Sequence, residues 1–211
     1  MKNEEQNKEK MILEAAEDEF LTKGFDGART VSIAQKAGVT HAMLHYYYRS
    51  KEQLFKTVLE NKFYALFSII KSSFEKSEKP VAERIKEIIS IHFDFLEKNR
   101  RLPLFLLNEM GKSPETFSET IGRKFPSAHQ TLFTPLVKDI QTAVSNGEIR
   151  EIDPFTLIFD IISLNFFPFV ALQAMEAFQQ VVPFDENQFL ENRKNENITL
   201  ICSRLTLNQS K

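Results

Sequence analysis

Apolar residues recur three and four positions apart through nearly every segment of the chain, the spacing that lines one face of an α-helix, and no stretch shows the period-two alternation of a half-buried strand. Ile12, Ala15, Ala16 and Phe20 predict a first helix over about 5–22, closed by Gly24 as C-terminal cap with Phe25 as its hydrophobic contact, after which Asp26 and Gly27 turn the chain. Ile33, Ala34 and Ala37 predict a short second helix over about 30–37, and Gly38 supplies the backbone freedom for a tight turn. A third helix runs from about His41 to Tyr48. Ser50 and Gln53 form a capping box that opens a fourth, carried by Leu54, Phe55, Val58, Leu59, Phe63, Leu66, Phe67 and Ile70 over about 51–76. At about 1.5 Å per residue it spans on the order of 35 Å, long enough to join two domains. Beyond it the pattern predicts helices over about 81–98, 103–110, 126–145, 154–178 and 186–205, two of them opened by Asp153-Pro154 and Asp185-Glu186 with the chemistry of helix starts. The fold class is all-α.

The third helix carries three consecutive tyrosines, which cannot share one environment. With Leu44 as the zero of rotation, Tyr48 lies near 40°, His45 near about 100°, Ala42 near about 160°, Tyr46 near about 200°, Met43 near about 260° and Tyr47 near about 300°. Leu44 and Tyr48 therefore point inward. His41, Ala42, His45 and Tyr46 form a wet face with few charges, suited to a DNA major groove where small and aromatic side chains approach base edges and thymine methyls. Tyr47 on the flank, with Thr40, Lys51 and Thr30, is placed to reach phosphates, and the opening of the fourth helix at Ser50–Lys51 presents free backbone N–H groups to an anion.

A formal net charge of −2 opposes nucleic-acid binding only as a sum. Between Leu21 and Lys62 there are seven cations against three carboxylates, so positive charge gathers around the tyrosines. Composition places the chain in the ordinary globular class, with 42% hydrophobic and 27% charged residues. No run of about 18 uncharged apolar residues occurs, and the polar N-terminus lacks the hydrophobic segment of a signal peptide, so no membrane association and a cytoplasmic location are expected. A single cysteine, Cys202, excludes an internal disulfide or a Cys-pair metal site. Of the 20 Phe, 17 follow Lys62, which puts the larger apolar store in the C-terminal part.

The run from Gly24 to Phe55, G-F-D-G-A-R-T-V-S-I-A-Q-K-A-G-V-T-H-A-M-L-H-Y-Y-Y-R-S-K-E-Q-L-F, resembles the TetR family of bacterial transcriptional regulators. The resemblance rests on Ile33, Ala34, Ala37, Gly38, Val39, Thr40, Leu44, Tyr47, Ser50, Lys51, Glu52 and Leu54. His45 stands where the family usually has Tyr, Tyr48 where Phe is usual, and Arg29 where Ser or Thr is common, which moves the cap of the second helix onto Thr30. The family implies about nine helices, a helix-turn-helix DNA-binding domain over 1–52, and a C-terminal effector-binding and dimerisation domain over 53–211. Its last two long helices pair with their symmetry mates, so a homodimer reads near-palindromic double-stranded operator DNA. The expected function is repression released by a small, apolar or aromatic effector, without enzymatic activity or cofactor. The alternative is a helix-turn-helix regulator controlled by a protein partner, with no small-molecule pocket.

Within I-I-S-L-N-F-F-P-F, residues 161–169, Pro168 removes one helical hydrogen bond and frees the carbonyl of Leu164. Asn165, Phe166 and Phe169 could there shape an effector pocket with one polar handle, or simply pack in a core or dimer interface. His92, in an otherwise apolar helix, is a second pocket candidate, and the resemblance adds Phe105, Asn108 and Met110 of the run 102–110. His41 and His45 are four apart, a spacing that can hold zinc, but no Glu follows His41 and no third ligand is near, so no metal site is expected. No nucleophile motif and no glycine-rich phosphate loop is present.

Overall fold

The structure is a computed structural model that describes residues 2–75, 78–112, 114, 132–175 and 183–207. Regular structure among these residues is helical, with nine α-helices and no strand. The helices are α1 (Lys2–Gly27), α2 (Thr30–Lys36), α3 (His41–Tyr47), α4 (Lys51–Glu75), α5 (Val81–Lys98), α6 (Leu102–Lys112), α7 (Thr134–Ser145), α8 (Pro154–Met175) and α9 (Glu186–Leu205). The helical starts expected over 126–131 and the helix end expected at 176–178 lie outside the described residues.

Two compact units divide the chain: Met1–Ala65 with Phe105–Lys124, and Leu66–Leu104 with Phe125–Lys211. The division falls inside α4 and α6, and Leu54, Phe55, Val58 and Leu59, in the first turns of α4, are buried.

In the first unit, Ile12, Ala16 and Phe20 of α1 meet Ile33 and Ala34 of α2, with Ala37, Leu44 and Tyr48 completing the buried set. Phe20 and Phe25 close edge-on against Phe55, with ring centroids 5.1 and 4.9 Å away. Gly24 ends the regular run of α1 as expected, at φ 71°, and the chain then takes one further turn to Gly27. Thr30 does not cap α2. The capping position is Arg29, whose side chain makes no capping bond, and Thr30 is already helical.

In the second unit, α5 packs against α8 and α9 through Ile85, Ile88, Ile89, Leu157, Ile161, Ile201 and Leu205, joined by Leu136 and Ile140 of α7. A second cluster holds Phe93, Leu96, Phe169, Leu172 and Leu190, with the Phe93 and Phe169 rings 5.1 Å apart. Asp153 and Asp185 behave as expected of helix starts, accepting from Thr156 N at 2.6 Å and from Gln188 N at 3.0 Å. By length and composition, α8 is apolar enough over Pro154–Leu172 to cross a membrane, a property that charge-counting along the sequence misses. Its inner face is Leu157, Ile161, Asn165 and Phe169, while Asp160 pairs with Arg204 of α9. Phe155, Phe159, Ile162 and Phe167 remain exposed, Phe155 at 75% and Phe159 at 62%.

Candidate functional site

Gly38 makes the turn between α2 and α3 at φ 65°, a conformation that strains any residue with a Cβ. Among the described residues, the one atom within 4 Å that a Cβ would meet is Met11 Cε at 4.0 Å, so the backbone rather than space requires glycine. Thr40 is the N-cap of α3, its Oγ1 accepting from Met43 N at 3.1 Å. Leu44 is sealed and Tyr48 is buried at the C-cap, where its hydroxyl donates to Glu9 Oε1 at 3.4 Å; burial and that carboxylate both raise the phenol's pKa. With those two anchored, His41, Ala42, His45 and Tyr46 are exposed together, Tyr46 at 80%.

The exposed face is internally organised. His41 Nε2 lies 3.0 Å from Thr30 Oγ1, linking α3 to the start of α2, and the His41 and His45 rings meet edge-to-face at 4.4 Å. Tyr46 and Tyr47 are likewise perpendicular, 5.6 Å apart. The Tyr47 hydroxyl donates to the Glu5 carbonyl over a long 3.4 Å. Lys51 Nζ donates to the carbonyls of Ala28 at 3.1 Å and Asp26 at 3.4 Å and stands 4.6 Å from the centre of the Phe25 ring.

Sequence reasoning missed the group that fixes α2 against α1. Glu19 is fully buried and accepts from Lys23 at 2.6 Å, Lys36 at 2.8 Å and Ser32 Oγ at 3.1 Å. Burial pushes its pKa up, but the hydrogen bonds from Lys23, Lys36 and Ser32, with the Lys36 charge, outweigh that and hold it at about 2. Hydrogen bonds to Glu19 and Asp18 in turn raise the pKa of Lys36. The i, i+4 spacing of Glu19 and Lys23 is a readable signal; the reach of Lys36 from α2 is not.

A family described as bacterial regulatory proteins of the tetR family matches residues 12–58, which span α1 to the first turns of α4. The chain is 34% identical over 158 residues to the HTH-type transcriptional regulator RutR of Escherichia coli K12, covering 73% of this chain and 70% of RutR. This chain belongs to the TetR family. Its members are DNA-binding transcriptional regulators and not enzymes. The HTH-type transcriptional repressor NicS of Pseudomonas putida is 30% identical over 98 residues, 46% of each chain. Among solved structures, the regulator FadR of Bacillus subtilis in complex with stearoyl-CoA shares the fold, at TM-score 0.70 and 18% identity over 93% of this chain and 98% of that one. The TetR-type assignment fixes α2–turn–α3 as the helix-turn-helix.

The effector candidates separate into two groups. His92, Asn165, Phe166 and Phe169 come together in the second unit. Asn165 is fully buried and its Nδ2 donates to Ile89 O at 2.9 Å, so that atom is the nitrogen; His92 Nδ1, 3.3 Å away, must therefore accept, and the imidazole proton sits on Nε2. Asn197, also sealed, donates to Asn165 Oδ1 at 3.0 Å and to Leu164 O at 2.9 Å, and accepts from Arg193 at 2.8 Å. The carbonyl that Pro168 orphans is thus satisfied from α9, and α8 runs helical through the proline. Burial lowers the His92 pKa to about 4, so the ring is neutral at neutral pH. Phe105, Asn108 and Met110 do not join this cluster. Phe105 belongs to the first unit, its ring 5.9 Å from Phe55, and is buried, while Asn108 and Met110 are exposed.

Proposed function

We propose that the chain acts as a cytoplasmic homodimeric repressor that lays α3 of each protomer into successive major grooves of a near-palindromic operator. His41, Ala42, His45 and Tyr46 address base edges, while Thr30, Thr40, Tyr47 and the backbone N–H groups that open α4 at Ser50–Lys51 lie at the phosphates. The observation that carries this reading is the sorting of α3: Leu44 and Tyr48 hold the helix inward, and the whole uncharged opposite face is offered to solvent.

The dimer is supported by α8. Phe155, Phe159 and Ile162 are exposed and fall within about 60° of one another around the helix, a contiguous apolar stripe. Two copies pairing through α8 and α9 would cover it.

A small apolar or aromatic effector is placed beside His92, Phe166 and Phe169, with Asn165 fixing the imidazole behind it. The shared fold of FadR, solved in complex with stearoyl-CoA, supports a small-molecule ligand. One observation favours the second reading, control by a protein partner: both buried asparagine amides spend their donors on the protein itself.

The test is selection of genomic duplex fragments by the purified protein, followed by Tyr46→Ala. Retention of one near-palindromic sequence whose preference changes in the variant supports the reading. A variant with unchanged preference and affinity would remove α3 from the bases. Mass spectrometry of the intact protein under native conditions then separates a small effector from a protein signal.

A further inference from the structure

Lys51 is the cation that the sequence pattern puts on a phosphate, yet its ammonium is engaged inside the protein. Two of its three N–H donors go to the carbonyls of Asp26, in the last turn of α1, and Ala28, just past it, and its charge sits over the Phe25 ring. Most other cations of the first unit are also spent. Lys23 and Lys36 are on Glu19, Lys62 on Glu17, and Lys112 on Glu109 and Asp26. Lys56 makes no ion pair or hydrogen bond among the described residues; its charge adds only slightly to the lowering of the Glu52 pKa, which comes first from that residue's own backbone and the Ser50 hydroxyl.

Arg29 and Arg49 are the two arginines of this unit among the described residues. Both are exposed, and neither side chain has an ion pair or hydrogen bond among the described residues. The bond from Lys51 to Ala28 ties the residue two positions after Arg49 to the residue just before Arg29. Arg29 is also flanked by two residues tied to opposite ends of the α3 region. Thr30 meets His41 at its start, and Ala28 meets Lys51 just past its end. A guanidinium is permanently charged and matches a phosphate bidentately, which a capped ammonium cannot do.

We infer that Arg29 and Arg49 supply the phosphate charges that seat α3, and that Lys51 is a positioning residue that aligns them. This rests on the DNA-binding reading of α3. Arg29 fills the position where the TetR pattern commonly has a capping Ser or Thr, and the absence of any side-chain cap on α2 follows from the exchange of a cap for a phosphate ligand.

The test measures affinity of the full-length protein for a fluorescein-labelled mixed-sequence duplex as a function of salt. Non-specific binding is carried by phosphate contacts, and each one lost flattens the log–log slope by about 0.9. Arg29→Gln and Arg49→Gln are each expected to flatten it by about that amount per protomer, with Arg29→Lys and Arg49→Lys restoring most of it. Lys51→Met is expected to weaken binding while leaving the slope unchanged and lowering the melting temperature. A slope lost in Lys51→Met and kept in both arginine variants overturns the inference. If Lys51→Met does not fold, the arginine variants decide alone, and an unchanged slope in both overturns it. A wild-type protein without salt-dependent duplex affinity refutes the DNA reading of α3 itself, and is thereby distinguished from failure of the arginine assignment.

Discussion

Asn197→Leu keeps the branching of the side chain and removes its hydrogen bonds, which isolates the polar contribution of the α8–α9 contact. Two buried acceptors, Leu164 O and Asn165 Oδ1, lose their donor, and Arg193 loses an acceptor. Each buried group left unsatisfied costs about 1–3 kcal/mol, so the substitution should destabilise by about 2–5 kcal/mol. At roughly 2–4 °C per kcal/mol for a chain of this size, the melting temperature falls by about 4–20 °C. Pro168→Ala provides the control, because an alanine there offers Leu164 O its own helical N–H. In that background the cost of Asn197→Leu should shrink by about 1–2 kcal/mol, a coupling within the range of interacting neighbours. Urea unfolding at one fixed protein concentration measures all four corners of the cycle. Equal costs of Asn197→Leu in both backgrounds would refute the claim that Asn197 replaces the bond Pro168 removes.

Glu19→Gln should cost about 1–3 kcal/mol by converting charge-assisted hydrogen bonds to neutral ones, read as a lower urea midpoint. Because the folded pKa of Glu19 lies near 2, below its ordinary value near 4.5, its contribution is fully present above the ordinary value. It is lost as the pH falls from about 4.5 toward 2, and the variant's stability should be flatter across that window, which acid titration by circular dichroism detects. Gly38→Ala should lose about 1–2 kcal/mol to the left-handed backbone at the turn, seen in thermal unfolding, with no gain from filled space. Phe159→Glu places like charges along the α8 stripe and should shift the protein to monomer in sedimentation velocity; a dimer of unchanged strength would move the interface elsewhere.

What the sequence revealed was local. Leu44 and Tyr48 fall on one side of seven residues by rotation alone, and Gly24 and Gly38 announce backbone conformations that few other residues adopt, so the helix-turn-helix was readable without coordinates. The loss at Pro168 was equally readable, since it removes a bond to a carbonyl four residues back. Its replacement by Asn197, on another helix, was not, because any of several polar residues could have been brought there by packing. The same limit applies to Glu19, whose partner Lys36 is chosen by how α2 crosses α1, and to Lys51, whose long side chain found two carbonyls closer than solvent. For Phe105 the limit is related: the periodicity of α6 shows which side is apolar and not which unit each residue of that side joins.

The direction of hydrogen bonding from Arg193 through two amides to His92 leaves one nitrogen of the imidazole carrying a proton and pointing out of the chain of bonds. With ring charge suppressed by burial, that nitrogen keeps a single protonation state across the physiological range, so its resonance in a selectively labelled sample is a silent baseline. Any molecule lodging beside it would shift the signal without confusion from titration, which gives the C-terminal half of this regulator a natural spectroscopic reporter for whatever it responds to.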